Sequence, residues 1–540
     1  MRLIQQLGQM SPVAGLLLGG LAVRMLIAAG LPVGWDEAYY YLYTQHLDWS
    51  YFDHPVMVAL TTGLGIWLTG WATPFTLRIG ALVLYTGSLW LLYLTGRHLF
   101  GQRAARLTLA IATLTPLFML GFGVLTSPDN GLVWFGTLTL YVAAQEFFLP
   151  ADLVGQSLRR HQTYRPTARI AGVGILLGLA CLSKYHGFLL GLGLVGFCAA
   201  SPPYRRALRS PWLALGLLLF VLTLLPLWLW NANHDWISFR FHLGLRFDSG
   251  GPPQFSLLRL LGVIGMEVGL LFPAIGFPLW WVSLRGAWQQ LRWAAGWADA
   301  GAGFYHRQGF VLWMGLPIML GFTVLGGAQH IYPAWPAPGF WVMTLWLGYR
   351  AAHWSQRSVR RWLGWSGGII GLLLLFVWLH LTLGTLQKPG GVLGGVLTPQ
   401  QDPVNELIDA TQLRRRLAED PTIVQALKAA DFIFTNEYFL GGYLDMAVRP
   451  LTAAPVTSLT QDPRGFAIWY PPEQWLGKNG IFITIGRHTQ QQELVNRYRN
   501  DFATFEKLGQ VSTQRHGVAT ETFYLYRADR MLRPYRYPYP

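Results

Sequence analysis

The stretch PVAGLLLGGLAVRMLIAAGLPVGWDEAYYYLYTQHLDWSYFDHP, Pro12–Pro55, decides how the chain is read. Its first part, Pro12–Leu31, is apolar apart from Arg24 and has the roughly 20 residues that a helix needs to cross a hydrocarbon layer. Its second part opens on Trp35-Asp36-Glu37 and continues into a run of tyrosines, Tyr39, Tyr40, Tyr41 and Tyr43. From Pro32 to Phe75 there is no lysine or arginine. A membrane span therefore runs directly into a segment rich in acids and aromatic rings.

The remainder repeats the first half of that pattern. Of the 540 residues 52% are hydrophobic, 25 are tryptophan and only 12% of the chain is charged. Ordinary globular chains carry about a quarter charged residues, so a soluble enzyme, a disordered scaffold and a fibrous protein are excluded. Apolar runs of spanning length recur at Pro12–Leu31, Thr76–Thr95, Leu107–Leu125, Gly131–Leu149, Ile170–Leu182, Phe188–Ala200, Trp212–Trp230, Leu257–Trp281, Phe310–Gly327, Ala334–Leu347 and Trp362–Leu386. They predict a mainly α, polytopic bundle of about eleven spans. The fifth and sixth runs are short, which leaves a bent hairpin or a re-entrant pair open. Cys181 and Cys198 both lie inside apolar runs, so neither a disulfide framework nor a zinc cluster is expected.

Charge gives the orientation. One set of alternate loops holds eighteen arginines, in groups around Arg97–Arg106, Arg159–Arg169, Arg205–Arg209, Arg285–Arg307 and Arg350–Arg361, together with Arg2. The other set holds only Lys184, Arg240 and Arg246. By the positive-inside rule the N-terminus is cytoplasmic and the tail after Leu386 is extracytoplasmic. The net charge of +15 is then an orientation signal, and nucleic acid is not a partner. No small-residue cleavage site follows Pro12–Leu31, which reads as a signal anchor in a bacterial inner (plasma) membrane. The expected organisation is a transmembrane catalytic domain over 1–386, a Gly-rich linker over 387–399 and an extracytoplasmic α/β domain over 400–540. Within the first, the outer loop 32–75 is expected to carry amphipathic interfacial helices around Glu37–Leu47 and Val56–Leu68, with the tyrosines and Trp49 at headgroup level. In the tail, Asn405–Ala430 and Gln490–Arg499 read as helix, and Phe432–Thr435, Ile481–Ile485 and Thr522–Tyr526 as strands.

On this topology the scarce ionisable groups at span ends collect on the outer face, and an ionisable residue near a span is a candidate for function. Asp36 reads either as a helix N-cap or as a general base for an acceptor hydroxyl, with Glu37 beside it. Asp53-His54-Pro55 either orients that pair, contacts a phosphate or makes a turn. Asp129 is either the N-cap of the fourth span or a second site carboxylate. Lys184 either snorkels to the interface or binds phosphate, and Arg240 and Arg246 add positive charge for an anionic leaving group. His330 is a metal ligand, a phosphate donor or a hydrogen-bonded loop histidine. No spacing makes a metal site, so no cofactor is required by the sequence, a divalent cation being left open.

Trp35-Asp36-Glu37-Ala38-Tyr39-Tyr40, followed by Tyr51-Phe52-Asp53-His54-Pro55, resembles the first outer loop of GT-C type membrane glycosyltransferases. The branch that fits is the bacterial relatives of the dolichyl-phosphate-mannose protein mannosyltransferases, which includes the lipid A aminoarabinose transferases. Leu77-Arg78, Ser127-Pro128-Asp129, Leu182-Ser183-Lys184-Tyr185 and Tyr332-Pro333-Ala334-Trp335-Pro336 match further motifs in order. The resemblance implies a polyprenyl-phosphate-linked sugar as donor, a lipid, glycan or protein hydroxyl as acceptor, and inverting transfer of a hexose or pentose on the outer leaflet. It implies Asp36 as the catalytic carboxylate with Glu37 and Asp129 beside it. Lys184 becomes the donor-phosphate contact, with His54, Arg240 and Arg246 supporting it. Asp53, Tyr39, Tyr185 and His330 complete the candidates. Val56, where many relatives have proline, and Tyr39 and His54, where the aminoarabinose branch has basic residues, depart from that branch. The rival classes are a lipid or sugar transporter or flippase, and a ligase using a diphosphate-linked glycan.

Overall fold

The apolar runs become helices, and prolines start several of them. In the computed structural model, which describes residues 2–153, 164–244, 254–296, 302–387, 395–397, 402, 404, 407–486, 492–515 and 517–538, the first run is the helix Arg2–Gly30 and the second Pro74–Phe100. Four of the described helices are long and apolar enough to cross a membrane singly, and two bent pairs raise the number to six. Neither figure reaches the expected eleven, because several runs break. The run Leu107–Leu125 divides at Thr115 into Gln102–Leu114 and Pro116–Gly121. A proline ring has no N–H to donate and clashes with the preceding turn. Leu257–Trp281 divides in the same way into Leu257–Leu270 and Pro273–Ala294, which meet at 120°. Phe272, between them, takes the left-handed φ of +71°.

The chain forms two compact units, one made of Met1–Ile27, His54–Thr61 and Arg78–Gly371, the other of Ala28–Asp53, Thr62–Leu77 and Leu372–Pro540. In the first, helices approach where glycine removes the side chain. A Cβ on Gly174 would stand 2.0 Å from the carbonyl oxygen of Gly216, and one on Gly348 would stand 2.1 Å from Thr108 Oγ1. Such small-residue seams are the usual substitute for hydrophobic drive between helices in lipid. The helix Ala337–Ala351 is almost wholly buried. Its two tryptophans are satisfied: Trp341 Nε1 donates to Thr137 Oγ1 (2.9 Å) and Trp346 Nε1 to the Val282 carbonyl (3.2 Å). Arg24, fully buried, donates to Thr86 Oγ1 (3.0 Å) and lies 4.9 Å above the Tyr85 ring.

The second unit holds a five-stranded sheet in the order β2-β1-β3-β5-β4, with β1 Phe432–Thr435, β2 Val456–Ser458, β3 Gly480–Ile485, β4 Phe502–Arg515 and β5 Val518–Met531. β1 lies between β2 and β3, pairing in parallel with both, and every one of its residues is buried. β3 pairs antiparallel with β5, and β4 forms a hairpin with β5. The sequence predicts β1, β3 and the middle of β5, and misses β2 and β4. Asn405–Ala430 is two helices where one is expected: Ala410–Ala418, capped by Asp409, and Pro421–Ala429, capped by Asp420. Residues 405 and 406 lie outside the described set, as does most of the linker.

The first-loop helices form where expected, at Trp35–Gln45 and Met57–Thr69, but the tyrosines do not face headgroups. Tyr39, Tyr40, Tyr41, Tyr43 and Tyr51 are buried, and of that aromatic set only Trp49 is exposed. The cause is cover from the helix Tyr438–Val448. Trp35 stacks on Phe439 at 4.1 Å, and Tyr443 donates to the Val33 carbonyl at 2.7 Å. A Cβ on Gly442 would come 2.0 Å from the Ala38 carbonyl oxygen. Gly442→Val therefore forces these helices apart, at about 1–3 kcal/mol. Its thermal unfolding midpoint in detergent should fall below that of the parent chain, and an unchanged midpoint would contradict this packing.

Candidate functional site

In the first unit the motif Thr126-Ser127-Pro128-Asp129 starts the helix Pro128–Phe147. Ser127 is the extended N-cap, and its N–H donates to Asn130 Oδ1 at 2.7 Å. Pro128 takes the first-turn position where its missing N–H costs nothing. Asp129 is thus not the cap; it sits in the first turn, where the helix dipole favours an anion. Lys184 ends the helix Arg169–Ser183 in extended conformation, its N–H donating to the Ala180 carbonyl. Its side chain turns inward. Nζ lies 2.8 Å from both Oδ1 and Oδ2 of Asp129, and the two residues are 7% and 4% exposed. Snorkelling is therefore not what Lys184 does; it is half of a buried, two-point ion pair. An ammonium has three N–H donors, so this geometry engages two of them.

Next to Lys184, Tyr185 meets the His242 ring edge-on at 4.9 Å, and His54 lies 6.3 Å from the same ring. His242, on the short helix Ile237–Leu243, escapes a sequence reading because nothing in its neighbourhood marks it. Asp235 and Trp236, at φ +51° and +57°, turn the chain into that helix. Arg240 is exposed on it, and Arg246 lies outside the described residues. His330 is exposed, with Tyr332 edge-on at 5.2 Å. Among the described residues no hydrogen bond or ion pair joins His330 or Arg240 to Asp129 or Lys184.

In the second unit the acidic pair splits. Gly34, in extended conformation, is the N-cap of Trp35–Gln45, so Asp36 is not. Glu37 is buried, and its Oε2 accepts the Gly34 N–H at 2.9 Å, a helix-starting contact. Asp36 points outward and is exposed. Asp53 is 1% exposed; its Oδ1 accepts from the Tyr43 hydroxyl and from Tyr39 at 3.5 Å, and its Oδ2 accepts from Arg464 Nη1 at 2.9 Å. Burial first, then the charge of Asp53, push both tyrosine hydroxyls well above their usual range, so they remain proton donors. Burial alone would lower Arg464, but Asp53, Tyr438 and Asp462 outweigh it and keep the guanidinium charged. Arg464 is the functional candidate that the sequence conceals, since Asp462-Pro463-Arg464-Gly465 reads as a surface turn. No group of three metal-binding side chains occurs among the described residues.

The resemblance read from the motifs is borne out by comparison with known proteins. The family model described as dolichyl-phosphate-mannose-protein mannosyltransferase matches residues 53–230. The lipid A galacturonosyltransferase RgtD of Rhizobium johnstonii is 25% identical over 317 residues, which is 58% of this chain and 60% of that relative. The fold is that of ArnT from Cupriavidus metallidurans. The apo crystal structure superposes with a TM-score of 0.61 at 14% identity, covering 95% of this chain and 97% of ArnT. The structure bound to undecaprenyl phosphate gives 0.59 at 14% identity, covering 96% and 98%.

Two outcomes follow from this geometry. Lys184→Met strands a buried carboxylate and should cost about 3–5 kcal/mol, most of it regained when Asp129→Leu is added; equal unfolding midpoints for the single and double variants would refute the pairing. His46, at the end of Trp35–Gln45, is lowered to about 4 by burial and then by Arg449. The unfolded chain therefore binds the extra proton first, and stability falls as pH drops from about 6.5 towards 4. His46→Gln should flatten that part of the unfolding-midpoint profile.

Proposed function

We propose that this protein is an integral membrane glycosyltransferase that moves a hexose or pentose from a polyprenyl-phosphate carrier to an acceptor hydroxyl, with inversion, at the outer face of a bacterial inner membrane. The observation that carries the reading is the splitting of Asp36 from Glu37: one carboxylate closes the helix start, and the other is held exposed on a rigid first turn. A base must reach the proton it removes, and Asp36 is exposed. The fold of a protein crystallised with undecaprenyl phosphate supports the carrier class, and the galacturonosyltransferase supports sugar transfer to a lipid as one acceptor route.

In the proposed step the acceptor oxygen attacks the anomeric carbon from the face opposite the lipid phosphate. A new C–O bond forms as the anomeric carbon–phosphate oxygen bond breaks, and the hydroxyl proton passes to Asp36. The leaving group departs as polyprenyl phosphate. Lys184 meets the charge developing on that phosphate, with Asp129 fixing its ammonium, and His54, Arg240 and Arg246 add to the positive field. Preorganised charge of this kind is usually the largest catalytic contribution. The arginine asymmetry supports a cytoplasmic N-terminus and an extracytoplasmic C-terminal domain.

Purified protein supplied with a polyprenyl-phosphate sugar and membrane acceptors should transfer the sugar. Asp36→Asn should lower kcat at least a hundredfold, the usual contribution of a general base being about 10²–10⁴. Turnover within threefold of the parent would remove Asp36 from the role.

A further inference from the structure

Arg464 lies outside the set of residues given a chemical role above, yet it reaches the helix that carries the proposed base. We infer that Arg464 is a positioning residue: by pairing with Asp53 it locks the helix Trp35–Gln45, and with it Asp36, in one orientation. This inference rests on the proposed transferase reading for its consequence in turnover, but not for its geometry.

The linkage can be followed residue by residue. Tyr39 and Tyr43 stand three and seven positions after Asp36, on one stripe of the helix. Both hydroxyls reach Asp53 Oδ1, and Arg464 occupies Oδ2 at 2.9 Å. The Gly465 N–H then donates to the Tyr39 hydroxyl at 3.0 Å, closing a ring of contacts around Tyr39, Asp53, Arg464 and Gly465. Arg464 is held from three further sides. Its guanidinium carbon lies 3.7 Å above the Tyr438 ring, its Nε is 3.3 Å from Asp462 Oδ2, and its backbone adopts φ +46°. A non-glycine residue in the left-handed region persists only where its surroundings over-determine it, and such residues concentrate at functional sites.

The charge pattern gives the second part of the argument. Asp36, Asp53 and Asp462 are the acids acting on this cluster, Arg464 is its cation, and Tyr39, Tyr40, Tyr43 and Tyr438 are the titratable hydroxyls among them. Tyr40 and Tyr438 each feel Asp36 and Asp53 together with Arg464. Removing the cation leaves Asp53 and Asp462 uncompensated around Tyr438, a hydroxyl that also feels Asp36. Like charges favour the protonated acid, so a base at Asp36 would be lost at the acid end of its working range.

The test is a double-variant cycle on the full chain in detergent, using Arg464→Gln, Asp53→Asn and both together, with Arg464→Lys as the conservative control. Backbone hydrogen exchange over residues 35–45 reports orientation without reference to activity. Arg464→Gln should speed that exchange at least tenfold, and the double variant should restore it to within threefold of the parent. For sugar transfer, Arg464→Gln should lower kcat at least tenfold with KM changed less than threefold, and the acid limb of its pH profile should move to higher pH. Arg464→Lys should return the acid limb towards its original place. Unchanged exchange in Arg464→Gln, or losses in the double variant equal to the product of the singles, would overturn the inference. If even the parent chain transfers no sugar, the transferase reading fails, while the exchange cycle still decides whether the pair positions the helix.

Discussion

An ion removed from water must find its counter-ion nearby, and in a chain built for hydrocarbon that requirement governs where function can sit. The pair Lys184–Asp129 is its clearest expression here: two nearly inaccessible groups, 2.8 Å apart at both carboxylate oxygens, each brought to the other by a helix end. Breaking such a pair is far more costly than the pair is worth, so both partners and both helix ends are held by one contact. The start of Pro128–Phe147 and the end of Arg169–Ser183 are set by ordinary capping rules, and the ion pair turns these two local signals into one fixed point.

The same logic recurs with Asp53 and Arg464. There the carboxylate is served by two tyrosine hydroxyls as well as a guanidinium, so each of its oxygens is occupied. Two of the four acids in the resemblance motifs, Asp53 and Asp129, thus turn out to be partnered and buried, and Glu37 is spent on a helix start. Asp36 differs from all three in being exposed. The proposed base assignment draws on that difference in exposure.

Much of this was legible from residues alone, and the limits are physical. Hydropathy located the helices because apolar length is nearly sufficient for a span. It did not reveal the breaks at Pro116 and Pro273, because the average hydropathy of a run is unaffected by a break. β1 was found residue for residue because it is buried on both faces and reads as an unbroken apolar run. β4, by contrast, shows no regular alternation of buried and exposed positions over Phe502–Arg515, and its polar residues hid it. The tyrosines of the first loop read as headgroup anchors because sequence cannot reveal that Tyr438–Val448 covers them. Arg464 was invisible for a similar reason: its partner is more than four hundred residues away, and its own neighbourhood is a turn.

The role proposed for the Lys184–Asp129 pair is to serve a lipid-borne phosphate as well as the fold. Native mass spectrometry of the purified chain with added undecaprenyl phosphate measures this directly. The parent protein should retain one lipid phosphate per chain, and the charge-free double variant Lys184→Met/Asp129→Leu, folded but without the ammonium, should retain at least tenfold less. Equal retention by the two proteins would contradict the account.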